Sequence, residues 1–60
     1  MRFKADQLVR VKAFGMEECL GAIQYVCDGY YKIHINTYHE GMLYSGTIIR
    51  FDEEITPYDY

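Results

Sequence analysis

The sequence has no tryptophan, one proline, two cysteines and no long apolar run. Because a transmembrane helix needs about 20 consecutive apolar residues, we expect no membrane span. The opening stretch MRFKADQLVRVK also lacks an apolar run long enough for a signal peptide, so we expect a cytoplasmic protein. A chain of 60 residues has little core to spare for enclosing a pocket. We therefore predict a single domain, residues 1–60, that is not an enzyme.

The two cysteines are eight positions apart, Cys19 and Cys27, in a stretch that we interpret as one strand. Their Cα atoms would then be about 26 Å apart, whereas a disulfide needs about 4.4 to 6.8 Å. We expect two free thiols. Zinc sites favour cysteine pairs two to four residues apart, so His34 and His39 do not complete a site with these cysteines. We predict no metal and no cofactor.

Alternation of apolar and polar residues is the main structural signal. Residues 8–13 place Val9 and Val11 on one face and Arg10 and Lys12 on the other, a period of two that is typical of a half-buried strand. The pair Asp-Gly at positions 28 and 29 predicts a hairpin with a type I′ turn. Three residues of the next strand should point inward: Tyr31, Ile33 and Ile35.

Other segments complete an all-β prediction. We expect a strand at 19–27 with a bulge or bend at Gly21, a loop at 37–41 and a short 3₁₀ turn at 52–54, followed by a short closing strand. Further extended segments are expected at 30–36, 42–44 and 47–51. Five short strands in so small a chain are most easily protected at their edges by closing into a small barrel. The fold class that we predict is a five-stranded barrel.

Four segments, "LVRVK", "GAIQYV", "YYKIHI" and "FDEEITPY", occur in an order that resembles the small SH3-like barrels of bacteria and phages, including those related to KOW and Tudor domains. The resemblance spans about residues 7–58. It implies a binding module without catalysis, whose outer sheet and loops contact a protein, a peptide or a nucleic acid. The acidic balance, net −3, and the lack of a basic glycine-rich segment depart from the nucleic-acid-binding members.

Seven tyrosines are the most unusual feature of the composition. We expect Tyr25 and Tyr31 to pack in the core. The remaining five should lie at the rim: Tyr30, Tyr38, Tyr44, Tyr58 and Tyr60. Tyrosine offers a large contact area at low entropic cost. We therefore predict a protein-interaction module, encoded by a bacterium, a phage or a mobile element, that binds an unidentified protein through Tyr30, Tyr38, Tyr44 and Tyr58.

Three alternatives stay open. Four cations could form a basic strand face for nucleic acid: Arg10, Lys12, Lys32 and Arg50. The acidic end, DEEITPYDY, could instead imitate a nucleic-acid backbone and make the chain an inhibitor of a nucleic-acid enzyme. A barrel with an open edge strand could also pair with a second copy as a homodimer.

Overall fold

The computed structural model describes residues 2–13, 15 and 18–58, which form one antiparallel sheet and a single 3₁₀ turn. The strands are β1 (Leu8–Val11), β2 (Cys19–Cys27), β3 (Tyr30–His39), β4 (Met42–Arg50) and β5 (Ile55–Pro57). They lie in the order β4-β3-β2-β1-β5, which confirms the all-β, five-stranded prediction. Because β4 and β5 lie at opposite ends of that order, closure into a barrel stays a prediction.

One face of the sheet carries the core. Val9 and Val11 of β1 have no exposed surface, and the same is true of the three β3 residues predicted to point inward. Ile48 of β4 packs against this cluster. The buried apolar residues in the described part of the chain are Phe3, Val9, Val11, Ala13, Cys19, Ile23, Tyr31, Ile33, Ile35 and Ile55. The alternation in the sequence therefore identified the inner face correctly.

Gly21 lies in a regular part of the sheet, so the predicted bulge at this position is wrong. It pairs directly with Ile35, and the register shift between β2 and β3 occurs further along, between Ile23 and Tyr25. A Cβ atom on Gly21 would lie 2.7 Å from both Ile33 Cγ2 and Ile35 Cδ1. The glycine is needed because two core side chains occupy the space that any larger residue would fill.

The same register shift explains why Tyr25 is not in the core. Without it, Tyr25 would share the inner face with Ile23, two positions earlier on β2. With it, Tyr25 lies opposite Lys32 on the outer face and is 62% exposed. A single extra residue in the strand reverses the direction of every side chain that follows.

The hairpin between β3 and β4 is longer than the sequence suggested. β3 continues through His39 and β4 begins at Met42, so the predicted loop at 37–41 is wrong, and the two extended segments beyond it form one strand. Only Glu40 and Gly41 connect the strands. Both have positive φ, 52° and 79°, as a type I′ turn requires.

The turn between β2 and β3 has different geometry. Cys27 pairs with Tyr30, which confirms a two-residue hairpin at the predicted position. Gly29 has a φ of 88°, but Asp28 is not among the residues with positive φ. The predicted type I′ geometry is therefore wrong here, because that turn needs positive φ at both central residues.

The 3₁₀ turn occurs at Asp52–Glu54, as predicted. The Glu54 N–H donates to the Phe51 carbonyl at 2.9 Å, and the Phe51 N–H donates to Glu54 Oε1 at 2.8 Å. These reciprocal bonds fix the chain direction before β5. Among the described residues, no helix has the length and apolar character needed to cross a membrane.

Candidate binding site

The outer half of the β3–β4 hairpin projects beyond the rest of the sheet. β2 pairs with β3 only as far as Ile35, so residues 36–45 are held by β3–β4 pairing and the connecting turn. We call these ten residues the hairpin arm. None of them is buried. The arm is therefore a two-stranded ribbon, whereas the remainder of the sheet, which we call the base, has a core.

Apolar side chains on the arm lie in solvent. Tyr38 pairs with Leu43 on the outer face, and these residues are 73% and 53% exposed. Met42, at the start of β4, is 61% exposed. Tyr38 and Leu43 form an apolar surface on the outer face of the ribbon, and Met42 is exposed near its end on the opposite face. The sequence analysis named Tyr38 as a binding residue but missed Met42 and Leu43, although their position directly after the turn glycine was a usable signal.

The opposite face of the arm carries an aromatic pair. The rings of His39 and Tyr44 lie with centroids 6.4 Å apart at 54°. Tyr44 is opposite Thr37, and Met42 is opposite His39, so these four residues share the face that continues from the core. Tyr44 is half-buried. Both faces of the arm thus present aromatic or sulfur-containing side chains.

The structure does not bring the four predicted binding tyrosines to one surface. Tyr38 and Tyr44 lie on the arm, on opposite faces. Tyr30 begins β3, about 26 Å along the strand from Tyr38. Tyr58 follows β5, and the Arg10 guanidinium lies 5.3 Å from its ring centroid, a cation–π contact. The four tyrosines therefore do not form one site: Tyr38 is exposed and the other three are half-buried. Tyr60 lies outside the described residues.

The four predicted nucleic-acid-binding cations do not form one continuous surface. Arg10 lies on the outer face of β1 against the Tyr58 ring. Lys32 is half-buried on the outer face of β3. Arg50, at the end of β4, donates to the Lys12 carbonyl from Nε at 3.2 Å and from Nη2 at 2.9 Å. Two of its donors are thus directed at backbone oxygen rather than outward.

A shallow groove of about 330 Å³ lies where the ends of β1, β4 and β5 approach one another. Its described lining carries two cations and three carboxylates, Lys12, Glu18, Arg50, Glu53, Glu54 and Thr56. The acidic residues lie around Lys12 and Arg50, two members of the predicted basic set. Because carboxylates and cations are mixed in its lining, the groove does not favour the binding of an extended polyanion such as a nucleic acid.

Nearby, the Cys19 thiol is buried opposite Val11. Burial raises the pKa of this thiol, and the charge of Arg50 offsets part of the rise. Cys27 is half-buried and also free, so the expectation of unpaired thiols is confirmed. A thiol that stays protonated is a weak nucleophile, and Cys19 therefore serves the core.

Asp52 belongs to a cluster at the end of the core that the sequence did not reveal. Its Oδ2 lies 2.6 Å from Arg2 Nε, and its Oδ1 accepts a hydrogen bond from the Tyr31 hydroxyl at 2.7 Å. The same hydroxyl accepts from the Phe3 N–H at 3.2 Å, and the Phe3 and Tyr31 rings meet edge to face. The cluster joins Arg2 to Asp52, which are 50 positions apart in the chain. The alternation of residues within a strand gives no information about a contact between such distant positions.

This cluster shifts two ionisations in opposite directions. The hydrogen bond from Tyr31 and the bonds from Arg2 hold the pKa of Asp52 below its ordinary value. Burial raises the pKa of Tyr31, and its proximity to the Asp52 charge adds to the rise. Near neutral pH the carboxylate is charged and the phenol is protonated. The cluster therefore fastens the amino-terminal segment to the 3₁₀ turn.

Fewer carboxylates of the acidic carboxy-terminal run are available to imitate a nucleic-acid backbone than its sequence suggests. Asp52 is paired with Arg2, and Glu54 accepts from the backbone at Phe51. Asp59 lies outside the described residues. Within the described part of the run, Glu53 is the exposed carboxylate without a described hydrogen bond.

Comparisons with family models, with curated proteins and with solved structures find no match to this chain. The resemblance to SH3-like barrels therefore stays a prediction from the sequence motifs. The geometry and chemistry of the arm and the base are what the functional assignment depends on.

Proposed function

We propose that this chain is a non-catalytic protein-interaction module that binds a partner protein through the hairpin arm. The single observation that carries the proposal is the exposure of Tyr38, Met42 and Leu43 on a two-stranded ribbon in which no residue is buried. Tyr38 is the central anchor, with Leu43 beside it on the outer face. The base holds the arm in place, and the arm makes the contact.

A physical cost supports this assignment. A two-stranded hairpin is only marginally stable in water, and exposed apolar side chains on it contribute little until another surface covers them. Covering Tyr38 and Leu43 removes apolar area from water and also stabilises the ribbon. Tyrosine and methionine are enriched in the centres of protein interfaces. The composition of the arm suits a protein partner.

Charge argues against nucleic acid as the partner. The chain has net charge −3, and of its candidate cations Lys32 lies on β3, two strands away from Arg10 on β1. Nucleic-acid binding depends on several cations facing the phosphates together. The donors of Arg50, moreover, are directed at the Lys12 carbonyl. We therefore place the nucleic-acid alternative second and the acidic inhibitor third.

The proposal includes an SH3-like barrel as the architecture of the base. One sheet buries several core residues completely, and a single layer achieves this only by curving over its own inner face. Arg50 supports such curvature, because it links the end of β4 to Lys12, just beyond β1. The link joins strands that are three places apart in the sheet order.

A matched pair of tyrosine variants tests the arm. Tyr38→Ser and Tyr25→Ser remove the same side chain from the same face of the sheet, at 73% and 62% exposure, inside and outside the arm. The two variants and the parent are used as baits in extract of the cell that encodes the chain. A specific partner should be captured by the parent and by Tyr25→Ser, and its affinity should fall about tenfold or more for Tyr38→Ser.

Salt and nuclease separate the alternatives. Capture through the arm should persist after nuclease treatment and at raised salt, because it depends on apolar contact. Binding through phosphates falls steeply as salt rises. Equal capture by both tyrosine variants, or capture that disappears with nuclease, would contradict the proposal.

A further inference from the structure

β4 is an edge strand without the features that usually protect one. It pairs with β3 along all nine of its residues and lies at the end of the strand order, so no described strand pairs with its other side. At its last residue, the Arg50 side chain bonds to the Lys12 carbonyl. Edge strands are commonly blunted by shortness, proline or charge. β5, at the other edge, has three residues and contains Pro57. β4 has no charge or proline before Arg50.

The sequence of β4 is complementary to itself in one antiparallel register. When Gly46 of one copy faces Gly46 of the partner subunit, all nine residues are paired. The outer face then sets Leu43 opposite Ile49 of the partner subunit, and Ser45 opposite Thr47 of the partner subunit. The inner face sets Tyr44 opposite Ile48 of the partner subunit. Apolar residues thus meet apolar residues and hydroxyls meet hydroxyls, which favours cross-strand pairing.

Neighbouring registers lose this match. Sliding one strand by two residues places Ser45 opposite Ile49, or Leu43 opposite Thr47, and shortens the paired segment. Sliding it by one residue turns the inner face of one copy toward the outer face of the other. In the centred register, Arg50 faces Met42, so no like charges are opposed.

The arm supplies an independent reason for a second copy as the occupant. Its β4 half, residues 42–45, would lie beside residues 47–50 of the partner subunit, which belong to the base. The ribbon would gain a third strand at the place where the monomer has two. Three or more strands are the usual minimum for a stable sheet. A second copy therefore completes the part of the fold that has the least support.

We infer that two copies of this chain form a symmetric dimer by antiparallel pairing of their β4 strands, centred on Gly46. Nine pairs in an antiparallel ladder provide about eight or ten backbone hydrogen bonds, comparable with a typical protein interface. The sheet becomes continuous across the two-fold axis.

Two charge variants test both the edge and the register. In the centred register, Ser45→Lys with Thr47→Lys places lysines opposite one another at two positions. Ser45→Lys with Thr47→Glu places each lysine opposite a glutamate at the same positions. Both variants lose the hydrogen bond from Thr47 Oγ1 to Gln24 equally, so their monomers differ only in the charge at position 47.

Sedimentation equilibrium measures the outcome. The parent chain, of 7.1 kDa, should sediment as a species of twice that mass, 14.2 kDa. The doubly basic variant should have a dimer dissociation constant at least about tenfold higher. The variant with opposite charges should recover the dimer. Circular dichroism and thermal unfolding of both variants check that the monomers fold alike.

A second measurement uses the unmodified chain. In a sample mixed from isotope-labelled and unlabelled copies, intermolecular nuclear Overhauser effects should connect the Tyr44 ring with the Ile48 methyl groups. These residues are four positions apart on one strand, about 13 Å, too far for such an effect within a copy.

Three results would overturn the inference. They are a parent chain that stays at 7.1 kDa up to its solubility limit, two charge variants that dimerise equally well, and two that are equally monomeric. The dimer does not depend on the proposed function. Tyr38 lies on β3, away from the paired edge, so Tyr38→Ser should abolish partner capture and leave the dimer intact.

Discussion

The base and the arm are built from the same two strands and differ in what lies beneath them. In the base, β3 has neighbours on both sides and contributes three fully buried side chains. In the arm, residues 36–39 of β3 pair with β4 and with no other described strand, and none of them is buried. The backbone pairing is continuous through both regions. Strand pairing alone therefore does not decide where stability resides; the third strand and the core do.

The base and the arm therefore have different roles, one in folding and the other in binding. The base supplies the free energy of folding, because its apolar side chains are removed from water. The arm leaves Tyr38, Met42 and Leu43 in water and so retains apolar surface for association. Substitutions in the base should change stability, and substitutions in the arm should change binding.

The largest contrast is expected between Ile33→Ala and Tyr38→Ala. Ile33 is completely buried in the base, so truncation should lower the free energy of unfolding by about 2–5 kcal/mol. Tyr38 is mostly exposed, and its truncation should cost less than about 1 kcal/mol. Urea unfolding followed by circular dichroism measures both. Equal losses would mean that the arm belongs to the same stabilising unit as the base.

Gly21→Ala should have the next largest effect. The added methyl group would lie 2.7 Å from Ile33 Cγ2 and Ile35 Cδ1, and such overpacking costs about 1–3 kcal/mol. Ile35→Val removes one of the two clashing atoms, so the double variant should recover part of the loss relative to the two single changes. Thermal unfolding of all three variants provides the comparison. An unchanged midpoint for Gly21→Ala would contradict the close packing at β2.

Acidic pH should lower the unfolding free energy of the folded chain, because Asp52 becomes protonated. Because the pKa of Asp52 is lowered in the folded chain, the carboxylate contributes stability above its unfolded pKa of about 3.9. That contribution is lost as pH falls from there through the lower folded pKa. Asp52→Asn should flatten this part of the pH profile of the unfolding free energy.

The control for this prediction is Glu53→Gln, which makes the same charge change at the neighbouring, exposed position of the 3₁₀ turn. It should leave the acid slope close to that of the parent. A profile that both variants flatten equally would assign the effect to overall charge instead of the contacts of Asp52 with Arg2 and Tyr31.

The smallest expected effect is a stabilised arm turn. Glu40 has a φ of 52° in a type I′ turn, where asparagine is preferred. Glu40→Asn should therefore slow hydrogen exchange of the arm amides by about twofold, an effect of a few tenths of a kcal/mol. Exchange of the β1 amides should be nearly unchanged. Uniform slowing across the sheet would mean that the arm and the base open together.

The sequence predicted the inner face of β1 and β3 because their side chains alternate without interruption. It misassigned Tyr25 because a one-residue register shift in β2 has no distinctive composition. It misassigned residues 37–41 because polar residues there suggested a loop, and Glu-Gly is not a strong type I′ signal. For the candidate site, Tyr38 and Tyr44 were predicted, whereas their separation from Tyr30 and Tyr58 was visible only once the strands were aligned.

By itself, the sequence determined an all-β chain, the inward-facing residues of β1 and β3, the free thiols and the 3₁₀ turn, because these follow from neighbours along the chain. Tertiary structure alone decided that Arg2 meets Asp52, that Arg50 reaches Lys12, and that β3 and β4 extend past β2. Those contacts join distant positions in the chain. They depend on the position of the register shift in β2 and on the length of each strand. Local alternation carries no information about either.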